Sequence, residues 1–394
     1  MMTLNNLGSS KRKICCVINS RANYARIKSV LTSLSIREDC ELQIVVGASG
    51  LLFRFGNVSQ IIRNDGFRIS RELYTVVEGN EPVVMAKTTG LSLLDLASTF
   101  QDLKPDLVVT VADRHETLAT AIAASYMNIP LAHTQGGEIT GSIDESVRHA
   151  CTKLAHLHFP ATEQSYRNII QMGEESHRVH LVGCPALDLI KESDSRNLNG
   201  ILAKYIYNSE SFKSDNYFLV LLHPDTQDYM KAGLETQVLL EAVSSFDIPA
   251  IWLWPNVDSG TDFISKELRL FRDKNRDSKI NFVRNFSPED YAAVLNSAAC
   301  IIGNSSSGIR EAALTGTPSV SLGSRQFGRE SADNVIHVDE FSYSRIVTAI
   351  KDRLLHGRFE PSNLYGSGDA GKKIAEVLCT TKLSLEKKFV RRYS

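Results

Sequence analysis

Short apolar runs alternate along the chain with longer stretches in which apolar positions recur at helical spacing. That alternation predicts an α/β protein built on parallel sheets. In the first half, strands are expected at residues 14–19, 42–46, 107–111, 129–133 and 158–161. Helices are expected from Ser20 onward and at 86–100, 117–127 and 144–154. Ile27, Val30, Leu31 and Leu34 mark the inner face of the first helix, and Leu93, Leu96, Ala97 and Phe100 that of the second. Residues 61–78 read as a helix end and an edge strand. The pattern breaks at Gly183-Cys184-Pro185, and 187–216 is polar with little strand signal. A second alternating series follows, with strands at 217–222, 250–254, 279–283, 298–302, 319–322 and 335–338. Helices are expected at 237–245, 288–297 and 372–378, the last after a break at 366–370. Two similar units, 1–186 and 187–371, would bind a ligand in a cleft at the carboxyl ends of their strands.

At 394 residues the chain is long enough for two such units and a large core. Its formal net charge of −1 gives no electrostatic footprint for nucleic acid or an anionic membrane. The basic clusters at 11–13 and 387–392 lie at the ends and read as solvated. Seven cysteines are scattered without CxxC or Cys/His metal spacing. Cys15, Cys16 and Cys300 fall in strand-like runs, as buried thiols in a reducing cytoplasm would. No apolar run approaches the roughly 20 residues needed to cross a bilayer, and 14–18 is too short for a signal-peptide core.

The richest stretch is 300–329, CIIGNSSSGIREAALTGTPSVSLGSRQFGR. An apolar strand runs into Gly303-Asn304-Ser305-Ser306-Ser307-Gly308, a helix is expected at 309–314, and a second strand leads into Gly323-Ser324-Arg325. A strand, a loop of small residues and a helix start make an anion site. The first helical N–H groups have no internal partner, and the dipole puts positive charge there. The same pattern also fits an ordinary serine-capped turn. Glu311 in the helix and the later Gly-Ser-Arg favour a nucleotide site.

Other polar stretches follow predicted strands in order: Asp113-Arg114, His133-Thr134-Gln135-Gly136-Gly137-Glu138, Ile143-Asp144-Glu145-Ser146-Val147-Arg148-His149, Leu222-His223-Pro224 and Pro255-Asn256. With Gly183-Cys184-Pro185 and 303–329 they resemble, as an ordered set, the hydrolysing UDP-N-acetylglucosamine 2-epimerases, over nearly the whole chain. The resemblance implies the two-domain GT-B fold, α/β with two Rossmann-like domains, and a C-terminal segment 372–394 crossing back to the first. It further implies a homodimer in the cytoplasm, no metal or redox cofactor, and a nucleotide-sugar substrate. The implied chemistry has two steps. UDP leaves C1 as the C2 proton is removed, giving a glycal; water then adds at C1 and a proton returns to C2 on the other face. The products would be ManNAc and UDP.

The resemblance assigns catalytic roles to Asp113 and Asp144, either of which also fits a helix N-cap. Arg148, four residues after Asp144, is expected to pair with it. Gln135 stands where many members carry a glutamate; it would orient sugar or water, or Glu138 beyond a flexible Gly136-Gly137 would carry the proton, or the chemistry would run on Asp113 and Asp144 alone. Asn23 likewise stands where an aspartate is common, so the sugar site should be less acidic, which fits a different sugar such as a 2,4-diacetamido-trideoxy sugar on the route to legionaminic acid. Protonated His223 would assist UDP departure, whereas His133 and His149 read as structural. On the UDP side the candidates are Arg21, Arg114, Asn256, Phe286, Ser305, Ser306, Glu311 and Arg325, with Glu311 on the ribose and Phe286 on the uracil or in the core. Arg114 is equally placed to pair with Glu116, and Arg310 reads as structural. A UDP-sugar glycosyltransferase and a catalytically silent UDP-sugar-binding regulator are the competing readings.

Overall fold

The computed structural model describes residues 11–53, 56–79, 81–193, 197–207, 209–225, 228–255 and 258–391. Its frame is two six-stranded parallel sheets. The first contains β1 (Arg12–Ile18), β2 (Cys40–Gly47), β3 (Arg71–Leu73), β4 (Leu107–Val111), β5 (Leu131–Thr134) and β6 (Leu157–Phe159), in the order β3-β2-β1-β4-β5-β6. The second contains β7 (Phe218–Leu221), β8 (Ala250–Leu253), β9 (Ile280–Val283), β10 (Cys300–Gly303), β11 (Ser319–Leu322) and β12 (Val335–Val338), in the order β12-β11-β10-β7-β8-β9. Both are doubly wound, with switch points between β1 and β4 and between β7 and β10. At a switch point the loops leave adjacent strands in opposite directions and open a crevice.

Helices cover both faces of each sheet, so the central strands are apolar throughout. In β1, Ile14, Cys16 and Ile18 pack into one cluster with the Lys28–Ser35 and Ala370–Thr380 helices. Cys15 and Val17 point the other way, toward the Pro82–Leu103 and His115–Tyr126 helices. All seven cysteines are buried free thiols, and burial pushes Cys15 and Cys300 up to about 12. No helix among the described residues is long and apolar enough to cross a membrane. The ambiguous 61–78 stretch holds the end of the Val58–Asn64 helix and edge strand β3.

Three expectations need correction. The helix placed at 309–314 is a 3-10 turn, Ser306–Gly308, and a separate short helix, Glu311–Thr315. The helix placed at 86–100 runs from Pro82 to Leu103, with Pro82 in its first turn, where a missing N–H costs nothing. The basic C-terminal cluster is not all solvated: Lys387 lies against the first half of the chain, bonded to backbone carbonyls of Thr152, Lys153 and Ala155.

The Ala370–Thr380 helix returns to the first sheet, where Ile374, Ala375 and Leu378 enter its core. Gly371 permits the approach, because a Cβ there would lie 2.6 Å from Ser29 Oγ. The helix start is held by buried Asp188, whose carboxylate accepts the N–H groups of Ala370 (3.0 Å) and Gly371 (2.7 Å). Asp188→Ala leaves both donors unsatisfied. It is expected to lower stability by about 1–3 kcal/mol, read as a lower urea midpoint at unchanged slope.

Candidate active site

Two adjoining cavities lie where the carboxyl ends of the two sheets face each other. One, of about 70 Å³, is lined by Arg26, Asp113, Asp144, Arg148, His223 and Arg325, among others. The other, of about 110 Å³, is lined by Arg21, Phe286, Tyr291, Ser307 and Glu311, among others. Ala22, Arg26, His223, Ser305 and Ser306 border both. The shared border comes from the loops after β1, β7 and β10, and the loop after β4 adds Asp113 and Arg114 to the smaller cavity; these four strands flank the two switch points.

Asp113 is aimed by its backbone. Ala112, just past β4, has φ 61°, and this left-handed turn ends the strand abruptly. Asp113 does not cap the following helix, which begins at His115. Its carboxylate instead accepts from the Arg148 guanidinium and lies 3.9 Å from Arg26. Burial would raise its pKa, but Arg148, Arg26 and Arg329 outweigh that and hold it well below the usual carboxylate range. The expected Asp144–Arg148 pair is therefore replaced by Asp113–Arg148. Asp144, in the first turn of the Ile143–Leu154 helix, meets Arg325 at 3.8 Å. Burial and the nearby Asp113 charge raise its carboxyl to about 6, against the opposing pull of Arg325. The cavity thus holds one fixed anion and one carboxyl that exchanges its proton near neutrality.

His223 lies two residues past the end of β7 and is buried. Asn304 ties its backbone down, accepting from the His223 N–H (2.8 Å) and donating to its carbonyl (2.7 Å). Burial and the positive charges of Arg325, Arg21, Arg114 and Arg26 push its pKa well below the usual value. The imidazole is neutral in this structure, and the role expected for it in UDP departure needs its protonated form.

Sequence reasoning missed Arg26, which donates to Ser306 Oγ at 2.7 Å and so links the two halves between both cavities. Its signal was a second basic side chain in the helical segment after β1, five positions from Arg21. Arg21 itself reaches across to the Arg284 carbonyl (3.2 Å) and Asn285 Oδ1 (3.0 Å). Arg114 pairs with Glu116 at 3.2 Å and with Asp258 at 2.8 Å while still bordering the smaller cavity. Ser305 caps the 3-10 turn by accepting from the Ser307 N–H at 3.4 Å. Glu311 presents a buried Oε2 with no hydrogen-bond partner among the described residues, beside the larger cavity. Phe286 lines that cavity and also belongs to the core, edge-on to Tyr205 with ring centroids 4.5 Å apart. Asn256 lies outside the described residues.

The amide and glutamate candidates sit behind the cleft. Gln135, fully buried with φ 60°, donates to Cys184 Sγ at 3.1 Å and accepts from Arg310 at 2.9 Å. Asn23 is also buried; its Oδ1 accepts from the Asn19 N–H (3.2 Å) and its amide donates to the Val111 carbonyl (3.3 Å). Neither borders either cavity, so they do not make the sugar site less acidic. Glu138 is paired with Arg310 and with Arg329, the latter at 2.5 Å, all three buried. These arginines and Arg148 overcome the effect of burial and keep its carboxyl below the usual range. Glu138 is thus a tie between the halves, and no free acid or base. Gly136-Gly137 is a packing requirement rather than a flexible joint: a Cβ on Gly137 would lie 2.2 Å from the Ser165 carbonyl. His133 is structural, bonding Thr152 Oγ1 and the Ala112 carbonyl, with burial lowering its pKa to about 4. His149 lies 3.8 Å from Glu145, one helical turn away.

Two doubly wound domains with an arginine-lined, carboxylate-bearing cleft define a protein of the GT-B type. Residues 32–379 match the model of the UDP-N-acetylglucosamine 2-epimerase family. The chain belongs to that family. It is 34% identical over 372 residues to a Legionella pneumophila protein named UDP-N,N'-diacetylbacillosamine 2-epimerase (hydrolyzing), covering 94% of this chain and 97% of that one. It is 28% identical to the UDP-N-acetylglucosamine 2-epimerase of Neisseria meningitidis, over 96% of this chain and 99% of that one. In fold it is similar to the Methanocaldococcus jannaschii UDP-GlcNAc 2-epimerase solved with UDP-GlcNAc and UDP. That likeness has a TM-score of 0.78 at 17% identity and covers 93% of this chain and 99% of that one.

Glu138→Gln should leave Arg310 and Arg329 as uncompensated buried charges. A loss of about 3–5 kcal/mol of stability is expected, visible as a large fall in melting temperature. A variant that melts like the parent would show that Glu138 is no structural tie.

Proposed function

We propose that this protein is a hydrolysing 2-epimerase of a UDP-linked 2-acetamido sugar. The observation that carries the reading is the pair of unlike carboxyls, Asp113 and Asp144, in one cavity with Arg26, Ser305, Ser306 and Arg325. Asp144, ionised above pH about 6, takes the C2 proton while the C1–O bond to UDP breaks and a C1–C2 double bond forms. Asp113, always ionised, stabilises positive charge at C1 as UDP departs. Arg26, Arg325 and the serines receive the diphosphate, and Glu311 accepts from the ribose hydroxyls. A dianionic diphosphate would also reverse the field that keeps His223 neutral, so His223 can acquire a proton as the leaving group forms. Water then adds at C1, and C2 gains a proton on the opposite face.

The hydrolysing type is supported by the name of the Legionella relative. For the sugar, that relative favours UDP-N,N'-diacetylbacillosamine, whereas the sequence motifs put UDP-GlcNAc first. Each cavity is smaller than the roughly 300–1,000 Å³ usual for ligand sites, so the halves must part to admit either substrate.

The test is purified protein with each UDP-sugar in D2O, with neither metal nor acceptor added. Release of UDP with the free 2-epimer, deuterated at C2, is expected from one of the two. A UDP-linked epimer without UDP release would make the protein a non-hydrolysing epimerase. Turnover only with an acceptor would make it a glycosyltransferase, and UDP binding without turnover a regulator.

Asp144→Asn should lower kcat by about 10²–10⁴-fold while leaving UDP binding intact by calorimetry. Asp113→Asn should abolish turnover and also destabilise the fold, because it strips fully buried Arg148 of its counter-charge. Because Asp144 acts as the base, kcat/KM should fall as pH drops through about 6 and level off above it. A profile flat from pH 5 to 7 would remove Asp144 from that role.

A further inference from the structure

Beyond the last helix, the chain does not leave the protein. Residues 381–391 run back along the first half, past the 379 limit of the family match. The Val390 N–H bonds the Gly173 carbonyl at 2.9 Å. Arg178 donates to the carbonyls of Ser384 (3.4 Å) and Glu386 (2.6 Å). The Phe389 ring lies on Gly173, where an added Cβ would come within 2.5 Å of it. At the centre is Lys387. Its ammonium donates to the carbonyls of Thr152 (3.3 Å), Lys153 (2.5 Å) and Ala155 (2.6 Å), and pairs with buried Glu174 at 2.8 Å. Glu174 also binds Lys153 and His158, and these partners outweigh burial to hold its carboxyl at about 2.

Those three carbonyls close the Ile143–Leu154 helix. The last carbonyls of a helix lack internal partners and carry its negative pole, and a cation there satisfies both. The opposite end of this helix presents Asp144, and Arg148 lies between. A second path leaves the same point: Thr152 Oγ1 bonds His133, His133 bonds the Ala112 carbonyl at 2.7 Å, and Ala112 precedes Asp113. Lys387 therefore touches the rear of both supports that aim the two carboxyls.

We propose that Lys387, brought in by the C-terminal tail, is a positioning residue for the reaction: it locks the rear of the Ile143–Leu154 helix and so sets Asp144 and Asp113 against each other. This rests on the functional reading above, but one readout is independent of it. Lys387→Met removes the charge and all donors; Lys387→Arg keeps both. Lys387→Gln, which keeps a donor without the charge, serves if the methionine variant does not fold. In the full-length chain, the Asp144 carboxyl is titrated by carbon-13 NMR, its signal assigned with Asp144→Asn. The groups facing Asp144 are Asp113, Arg325, Asp258 and Arg114, and none of them is altered.

With a loosened helix, Asp144, now a quarter exposed, becomes more open to water and the like-charge contact with Asp113 weakens. Its titration should move from about 6 toward that of an ordinary aspartate, by about one pH unit. On the turned-over UDP-sugar, kcat should fall by about 10- to 100-fold with KM little changed, since the proposed UDP contacts lie mainly on the second domain. Lys387→Arg should restore both. An unshifted titration in Lys387→Met or Lys387→Gln overturns the proposal, as does equal loss in the methionine and arginine variants with equal falls in melting temperature. If the parent protein turns over neither UDP-sugar, the functional reading fails, while the titration still decides the role of Lys387.

Discussion

Five buried charges hold the cleft together. Glu138 of the first domain binds Arg310 and Arg329 of the second; Arg148 donates to the Glu138 carbonyl and to the Asp113 carboxylate. Removing charges from water costs several kcal/mol each, and the arrangement survives because every member has an opposite charge at contact distance. Apolar packing alone could hold the domains together at many angles. A directional ion network fixes one, and with it the distance between Asp144 and Arg325 and between Arg26 and Ser306. Within the network, the Glu138–Arg310 and Glu138–Arg329 pairs cross between the domains.

Arginines also set the chemistry. Arg148 and Arg329 of this network, with Arg26, lower the pKa of Asp113, while burial and the field of Arg325, Arg21, Arg114 and Arg26 lower that of His223; Asp144, raised to about 6, is the carboxyl of the smaller cavity left to titrate near neutrality. A diphosphate entering among Arg26, Arg325 and the serines would neutralise part of that field. Substrate binding and proton affinity are therefore coupled: the ligand that needs proton transfer supplies the charge that permits it. The rear anchoring by Lys387 fits this picture, because a helix holding Asp144 between opposed fields must resist displacement.

Much of the fold was legible in the chain. The strand runs appear close to where they were expected, because a parallel strand covered on both faces has to be continuously apolar. The loop Gly303–Ser307 could be read as an anion site from local chemistry, and Glu311 beside it pointed to a nucleotide. Asp113 stands directly after a buried strand, where polar residues face a crevice, whereas Asp144 and the ribose role of Glu311 came from the resemblance to the epimerases. Local chemistry failed where partners were distant in sequence. Arg148 sits one turn from Asp144, yet pairs with Asp113, 35 positions away. Gln135, Glu138 and Asn23 lie in promising motifs, but their side chains turn into the scaffold.

What the sequence by itself determined was the α/β class, the two alternating units and the residue types at the strand ends, because periodicity and strand burial are local properties. Which of those residues meet, which carboxyl holds a proton near neutrality, and that Lys387 of the basic C-terminal cluster packs against the first half of the chain were decided only by tertiary structure. Charge pairing and desolvation depend on distances of a few ångströms between segments far apart in the chain, and no local pattern records them.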